Sequence, residues 1–233
     1  MITLKRRKGP LPYQIVWFDP NPTLNLLPPT IYYQSSSTSK KFGLVRKPFW
    51  TLLTDLSKDP ETILANMNGS TRNQVNQMEK AEASGEWVDI DTFLSFFNVF
   101  AKEKRIEGTS RSKLESFGES LRLSRVTVGD KIGAMHATIV DASLRRCRSL
   151  LSASARFEDP EQRKTMGKAN RWLHWWDMKS LLNEGVDVYD WGGYAKDTQD
   201  ASKLGINQFK DGFGGKLVEE SHYFPSLLAG FRS

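Results

Sequence analysis

This sequence predicts an α/β fold in which a mixed central sheet contains an antiparallel meander and is flanked by helices. Three stretches predict it. From Leu121 to Arg156 apolar and polar residues alternate with a period of two, broken by turn residues at Gly129-Asp130-Lys131, as in consecutive strands with short connections. Before it, Pro48 to Leu56 reads as a strand followed by two helices. After it, a helix, a strand, a second helix and a last strand follow with almost no slack.

Taken in order, Val16-Trp17-Phe18 and Ile31-Tyr32-Tyr33 read as short strands, broken by Asp19-Pro20-Asn21-Pro22 and Pro28-Pro29. Lys5 to Lys8 reads as a solvated basic tail. Ser57-Lys58-Asp59-Pro60-Glu61 combines a capping residue, an early proline and an acid, and opens a helix through Ile63-Leu64-Ala65. Gly69 separates it from a second helix, Thr71 to Ala83, closed by Ser84-Gly85. Trp87 to Ile90 reads as a strand. Phe93, Phe96, Phe97 and Phe100 then stand at i, i+3, i+4, i+7, the core face of another helix. The meander runs through Leu121–Val128, Ile132–Val140 and Ser149–Ala155. A helix begins near Asn170, with Trp172, Trp175 and Trp176 as an apolar face. The strand Val186–Gly193, a helix around Ile206–Lys210 and the strand Leu217–Glu220 complete the pattern. Residues 1–45 form an N-terminal extension of short strands and loops packed on a main domain of residues 46–233.

With 39% hydrophobic and 26% charged residues, 233 residues bury an ordinary globular core. No apolar run reaches the roughly 20 residues that span a bilayer. The basic start lacks the apolar stretch and cleavage site of a signal peptide. A single cysteine, Cys147, excludes an intramolecular disulfide. Together these point to a cytoplasmic protein. A net charge of +6 favours anionic partners. Three histidines, His136, His174 and His222, show no metal-ligand spacing, so no metal is expected. There is no Walker loop and no Gly-x-Ser-x-Gly elbow, and Cys147 has no visible catalytic partner.

Three separated motifs carry a family resemblance: Thr71-Arg72-Asn73-Gln74-Val75, Tyr189-Asp190-Trp191-Gly192-Gly193 and Phe209-Lys210. In this order they resemble the FemAB-like branch of the GNAT acyltransferase superfamily, over roughly residues 48–223. The resemblance implies a single GNAT-like domain and transfer of an acyl group to an amine by direct attack. It also directs attention to Arg163-Lys164-Thr165-Met166-Gly167-Lys168-Ala169-Asn170, where Lys164-x-x-Gly167-x-Ala169 is similar to the family's CoA-pyrophosphate loop. Backbone amides at a helix N-terminus, with Arg163, Lys164 and Lys168 adding charge, would hold a phosphate; a basic solvated cap is the other reading.

Candidate roles follow. His136, mid-strand, could take the proton of an attacking amine, or be a hydrogen-bonded structural histidine. Asp190, at a strand end beside Trp191, is the second candidate base. Lys210 could stabilise charge developing on the acyl carbonyl. Arg72 could clamp an anionic group of the acceptor, or close a helix end. Tyr189, Trp191 and Phe209 would line the acceptor pocket. No permanently bound cofactor is expected. Acyl-CoA is the expected co-substrate and aminoacyl-tRNA its competitor as donor. The acceptor is a small-molecule amine, such as an amino sugar of a surface polysaccharide precursor or a secondary-metabolite amine. A module of the same shape that holds a nucleotide or RNA without catalysis is the alternative from a different class, suggested by Arg122–Arg125 and Arg145–Arg148.

Overall fold

The computed structural model describes residues 1–155 and 158–226. Arg156, and the last seven residues of the 46–233 unit, therefore lie outside the described residues. The strands are β1 (Ile2–Lys8), β2 (Leu11–Trp17), β3 (Thr30–Ser35), β4 (Leu44–Asp55), β5 (Ser84–Trp87), β6 (Leu121–Val128), β7 (Lys131–Asp141), β8 (Arg146–Ser154), β9 (Val188–Gly193) and β10 (Lys216–Pro225). The helices are α1 (Pro60–Ala65), α2 (Gly69–Lys80), α3 (Ile90–Lys104), α4 (Arg111–Glu115), α5 (Pro160–Asn183) and α6 (Ala201–Asp211). All ten strands join one mixed sheet in the order β1-β2-β3-β10-β4-β9-β8-β7-β6-β5. The chain is a single α/β domain, as its periodicity predicts.

Several elements differ from the sequence expectation, each for a local reason. The basic start is not a solvated tail. Ile2 and Leu4 alternate inward onto Trp17 and Phe18, which makes it the edge strand of a hairpin with β2. The first 45 residues extend the main sheet itself, through β3 pairing with β10. Ser84-Gly85 opens β5 instead of closing a helix; a Cβ at Gly85 would strike the Trp176 ring at 2.6 Å. α5 begins at Pro160, far ahead of Asn170, because Asp159 caps it by accepting from the Glu161 amide (3.1 Å) and Pro160 fills a first-turn position.

Two layers cover the sheet. On one face α1, α2 and α5 pack with the end of α6. Val75, Leu173, Met178, Leu181 and Phe213 are buried there beside Trp172 and Trp175. Trp172 and Trp175 are thus core, as their spacing predicts, while Trp176 is only partly buried. On the opposite face Phe93 and Phe97 of α3 and Leu114 of α4 meet Met135, Ala137 and Ala153. Phe96 and Phe100 are only partly buried, so the four-Phe stripe is half core and half rim. Close seating of α5 depends on Gly133 in β7, where a Cβ would lie 2.8 Å from that of Ala169.

β8 and β9 run parallel and pair only from Arg146–Val188 to Arg148–Asp190. Beyond that point β8 continues with β7 to Ser154 and β9 continues with β4 to Gly193. The sheet therefore splits between them, at the carboxyl ends of two parallel strands where α/β proteins place ligands.

Candidate active site

The split is held open from below by a buried ionic cluster. Asp190 is fully buried and accepts from the Thr51 hydroxyl, the Gly192 amide (2.8 Å), Gln34 Nε2 (2.7 Å) and Arg146 (2.5 Å). Arg146 also grips both oxygens of Glu220, at 2.7 and 2.9 Å. Burial works against the Arg146 charge, yet the hydrogen bonds and fields of Glu220 and Asp190 raise its affinity for the proton. The single Thr51 hydroxyl proton is shared between Asp190 and the Gly192 carbonyl (2.8 Å), at a bulge where Gly192 adopts φ +68°. A side chain there would meet Arg148 and the Ser149 carbonyl at 3.2 Å, so glycine is required. With four donors already on its carboxylate, Asp190 has no lone pair to offer a substrate. The expectation that it acts as a base is corrected to an anchoring role.

On the upper face a chain of polar groups crosses the apolar core. His136 is fully buried; its Nδ1 faces Asp177 Oδ2 at 2.7 Å and its Nε2 faces Asn170 Oδ1 at 2.9 Å. Both ring nitrogens are occupied, so His136 too is structural and not the general base. His174 stacks on it with ring centroids 4.0 Å apart and planes at 30°, and its Nδ1 meets the Tyr189 hydroxyl at 2.9 Å. Burial lifts the Tyr189 phenol well above its ordinary value, so the hydroxyl keeps its proton. Burial, assisted by His136, Lys210 and Arg171, holds His174 well below its ordinary 6.5. The ligand atoms of His136, His174 and Asp177 lie within 4.8 Å of one another. Stacked imidazoles, however, direct their lone pairs in near-parallel planes instead of toward a common ion. Two hydrogen-bonded pairs, His136–Asp177 and His174–Tyr189, joined by ring stacking fit these residues better than a metal centre does.

Three cations stand near the open end. Lys210 extends from α6 and donates to the Gly193 carbonyl at 2.5 Å; burial and nearby Arg148 push it down to about 8. Arg171 on α5 lies 4.8 Å above the Phe209 ring, and burial weakens its hold on its proton. Arg148 on β8 rests 4.9 Å over Trp17, and its Nε and Nη1 are buried without a hydrogen-bond partner. A cleft of about 540 Å³ adjoins, lined by residues 48–50 and 193–197. Lys196 projects there, 3.9 Å over Trp50.

Other sequence candidates are placed elsewhere. Arg163, Lys164, Gly167, Lys168, Ala169 and Asn170 all lie inside α5, where backbone amides serve the helix. They form no phosphate-holding loop, and the helix start carries Asp159 and Glu161. Arg72 spends its guanidinium on the carbonyls of Ala65 (2.9 Å) and Met67 (3.3 Å), closing α1 at its C-terminal end. Trp191 is core: it is buried among His174, Tyr189 and Phe213 and donates to Thr54 (3.0 Å). Tyr189 is likewise fully buried. Phe209 is partly buried against His174, Trp191 and Phe213 and carries Arg171 over its ring. Burial raises the Cys147 thiol well above its ordinary value, which makes it inert.

Sequence reasoning missed Arg148, Arg171, Gln34 and His174. One signal was available. Asn170, His174 and Asp177 stand at i, i+4 and i+7, a polar stripe inside an apolar helix face.

This architecture is shared by solved structures. FemX superposes with a TM-score of 0.70 at 13% identity, covering 99% of this chain and 86% of that one. The C-terminal domain of a candidate lysylphosphatidylglycerol synthetase from Agrobacterium fabrum gives 0.60 at 13%, covering 96% and 80%. L-PGS from Bacillus licheniformis gives 0.54 at 12%, covering 85% and 68%. No protein-family model and no curated protein matches the chain. The chain shares the fold of FemX.

Two outcomes follow from the buried charges. Arg146→Ala leaves Asp190 and Glu220 facing each other without their cation. A loss of about 3–5 kcal/mol is expected, read as a lower denaturation midpoint; an unchanged midpoint would contradict the anchoring role. His174 is unprotonated in the fold but titrates near 6.5 in the unfolded chain. Stability is therefore retained above about pH 6.5 and lost as the pH falls below it. Melting temperatures between about pH 7.5 and about pH 5 should fall more steeply in the native chain than in His174→Gln.

Proposed function

We propose that this chain is an N-acyltransferase that joins an amine to an acyl group by direct attack on a bound ester, with an aminoacyl-tRNA-type donor in preference to acyl-CoA. The observation that carries the reading is the Lys210 ammonium, held partly buried at the open end of β9 against the Gly193 carbonyl. An acyl carbonyl laid in the split would receive this donor as its oxygen gains charge. The amine nitrogen forms the new C–N bond and the donor's C–O bond breaks. The proton given up by the amine ends on the released hydroxyl. No covalent enzyme intermediate is involved, in keeping with the inert Cys147. Asp190 and His136 contribute by fixing β9 and α5, so that proximity and orientation do most of the work.

The preference over CoA rests on α5. The basic residues expected to hold a pyrophosphate lie in the helix body, and the first turn carries acids that repel one. Arg148, with two buried unpartnered nitrogens, and Arg171 supply positive charge at the split for an anionic part of either substrate. The likeness to FemX and to the lysylphosphatidylglycerol synthetase domain supports an aminoacyl donor at the level of fold analogy.

Lys210→Ala should lower kcat by about 10²–10³ while changing KM for the acceptor little, as expected for a group that acts in the transition state. Because Lys210 titrates at about 8, native activity that needs the ammonium should decline above that pH. Single-turnover transfer from charged tRNA to an amine reads both effects, and transfer that survives Lys210→Ala unchanged would sink the assignment. Calorimetric titration with acetyl-CoA and free CoA should show no saturable binding. Binding that is lost on changing Arg163, Lys164 and Lys168 to Ala would restore the CoA reading.

A further inference from the structure

The net charge of this protein is concentrated at one end of its chain. Residues 1–54 hold eight basic residues and one acid, Asp19, for a net +7; the other 179 residues hold 25 basic and 26 acidic, for −1. The strands built from this segment arrange it spatially. The β1–β2 turn lies at Gly9-Pro10, and Lys8 pairs with Leu11. β2 and β3 run parallel with Gln14 opposite Thr30, which brings Leu11 level with the loop before β3. β10 runs back along β3, with Tyr223 opposite Tyr32, and then along β4, with Pro225 opposite Leu44. Ser226 donates to the Gly43 carbonyl at 2.9 Å. The 9–11 turn, the 24–29 loop and the 40–43 turn therefore share one rim of the sheet. The last two touch, since a Cβ on Gly43 would meet the Leu24 side chain at 2.5 Å.

That rim is apolar at its tips. Twelve large hydrophobic side chains are exposed among the described residues, and Leu11, Leu26, Leu27, Phe42 and Val45 are five of them. Leu27 is 96% exposed, Phe42 94% and Leu11 70%. Exposed leucines scattered singly need no explanation, but clustered ones on a sheet rim do. Arg7, Lys40 and Lys41 stand beside these tips.

We propose that this rim docks on an anionic phospholipid bilayer, with Leu11, Leu27 and Phe42 entering the headgroup boundary and the flanking Arg7, Lys40 and Lys41 paired with lipid phosphates. Apolar tips ringed by cations match the two attractions that hold peripheral proteins to such surfaces. RNA shares the charge but fits the tips poorly, because single strands are held by aromatic stacking and these tips are mainly aliphatic. No helix of the described residues is long and apolar enough to cross a membrane, so the contact is superficial. β9 ends toward the same side of the sheet, since Gly193 lies opposite Thr51 on the strand that leads back to Leu44. If the transferase reading holds, the split opens toward the lipid side. The docking itself does not depend on that reading.

The test is sedimentation of the full chain with vesicles of phosphatidylcholine alone or with about 30% phosphatidylglycerol. Binding is expected to the anionic vesicles only, and to weaken with salt. Leu11→Ser/Leu27→Ser/Phe42→Ser should weaken it at least about tenfold, and Arg7→Gln/Lys40→Gln/Lys41→Gln by a similar factor. Circular dichroism checks that both variants keep the fold, which exposed positions allow. Protein left in the supernatant with anionic vesicles would overturn the proposal. So would a triple serine variant that binds like the native chain, or a dimer in size exclusion that this variant dissolves without any vesicle binding. No transfer assay enters, so this result and the failure of the transferase reading remain separable.

Discussion

Everything at the split depends on one buried guanidinium. Arg146 emerges from β8 and binds Asp190 of β9 and Glu220 of β10, while Gln34 of β3 and Thr51 of β4 complete the shell. Five strands from distant parts of the chain meet there. Burying three charges is expensive unless they are paired, and Arg146 meets Asp190 and Glu220 only when these strands are in register. The cluster therefore acts as a registration device as much as an attraction. It holds β9 where its bulge at Gly192 can end the pairing with β8, and so decides where the sheet opens.

The polar chain above it serves a related purpose on the other face. Asp177, His136, His174 and Tyr189 join α5, β7 and β9 through an otherwise apolar core. Protein partners engage both ring nitrogens of His136 and both carboxylate oxygens of Asp190. The cations Lys210, Arg171 and Arg148 stand near the open end. A site built this way offers positive charge and a fixed backbone edge instead of a strong base. That composition suits a reaction driven by placing an amine against an activated carbonyl.

The N-terminal strands add a second asymmetry. They extend the sheet by three strands, lend Gln34 to the buried cluster, and bring Arg7 beside the apolar rim. The part of the chain most easily taken for a decoration is thus bound into both the core and the surface character of the molecule.

Periodicity alone determined the α/β class, the β6–β8 meander, the core faces of α3 and α5, and the order of the closing elements, because burial patterns repeat locally along a strand or helix. The motifs around Tyr189-Asp190-Trp191 and Phe209-Lys210 lie in β9, which ends where the sheet opens, and in the helix α6 that follows it. What each residue does there was decided by tertiary structure. Whether Asp190 is a base or an anchor depends on Gln34, Thr51 and Arg146, none of them near it in sequence. Whether Lys164–Asn170 is a loop or a helix turned on a cap at Asp159, which a motif match does not weigh. The edge strand β1 needed Trp17 and Phe18 to bury Ile2 and Leu4. Long-range partners fix protonation, saturation and exposure, and those three properties separate a reactive side chain from a structural one.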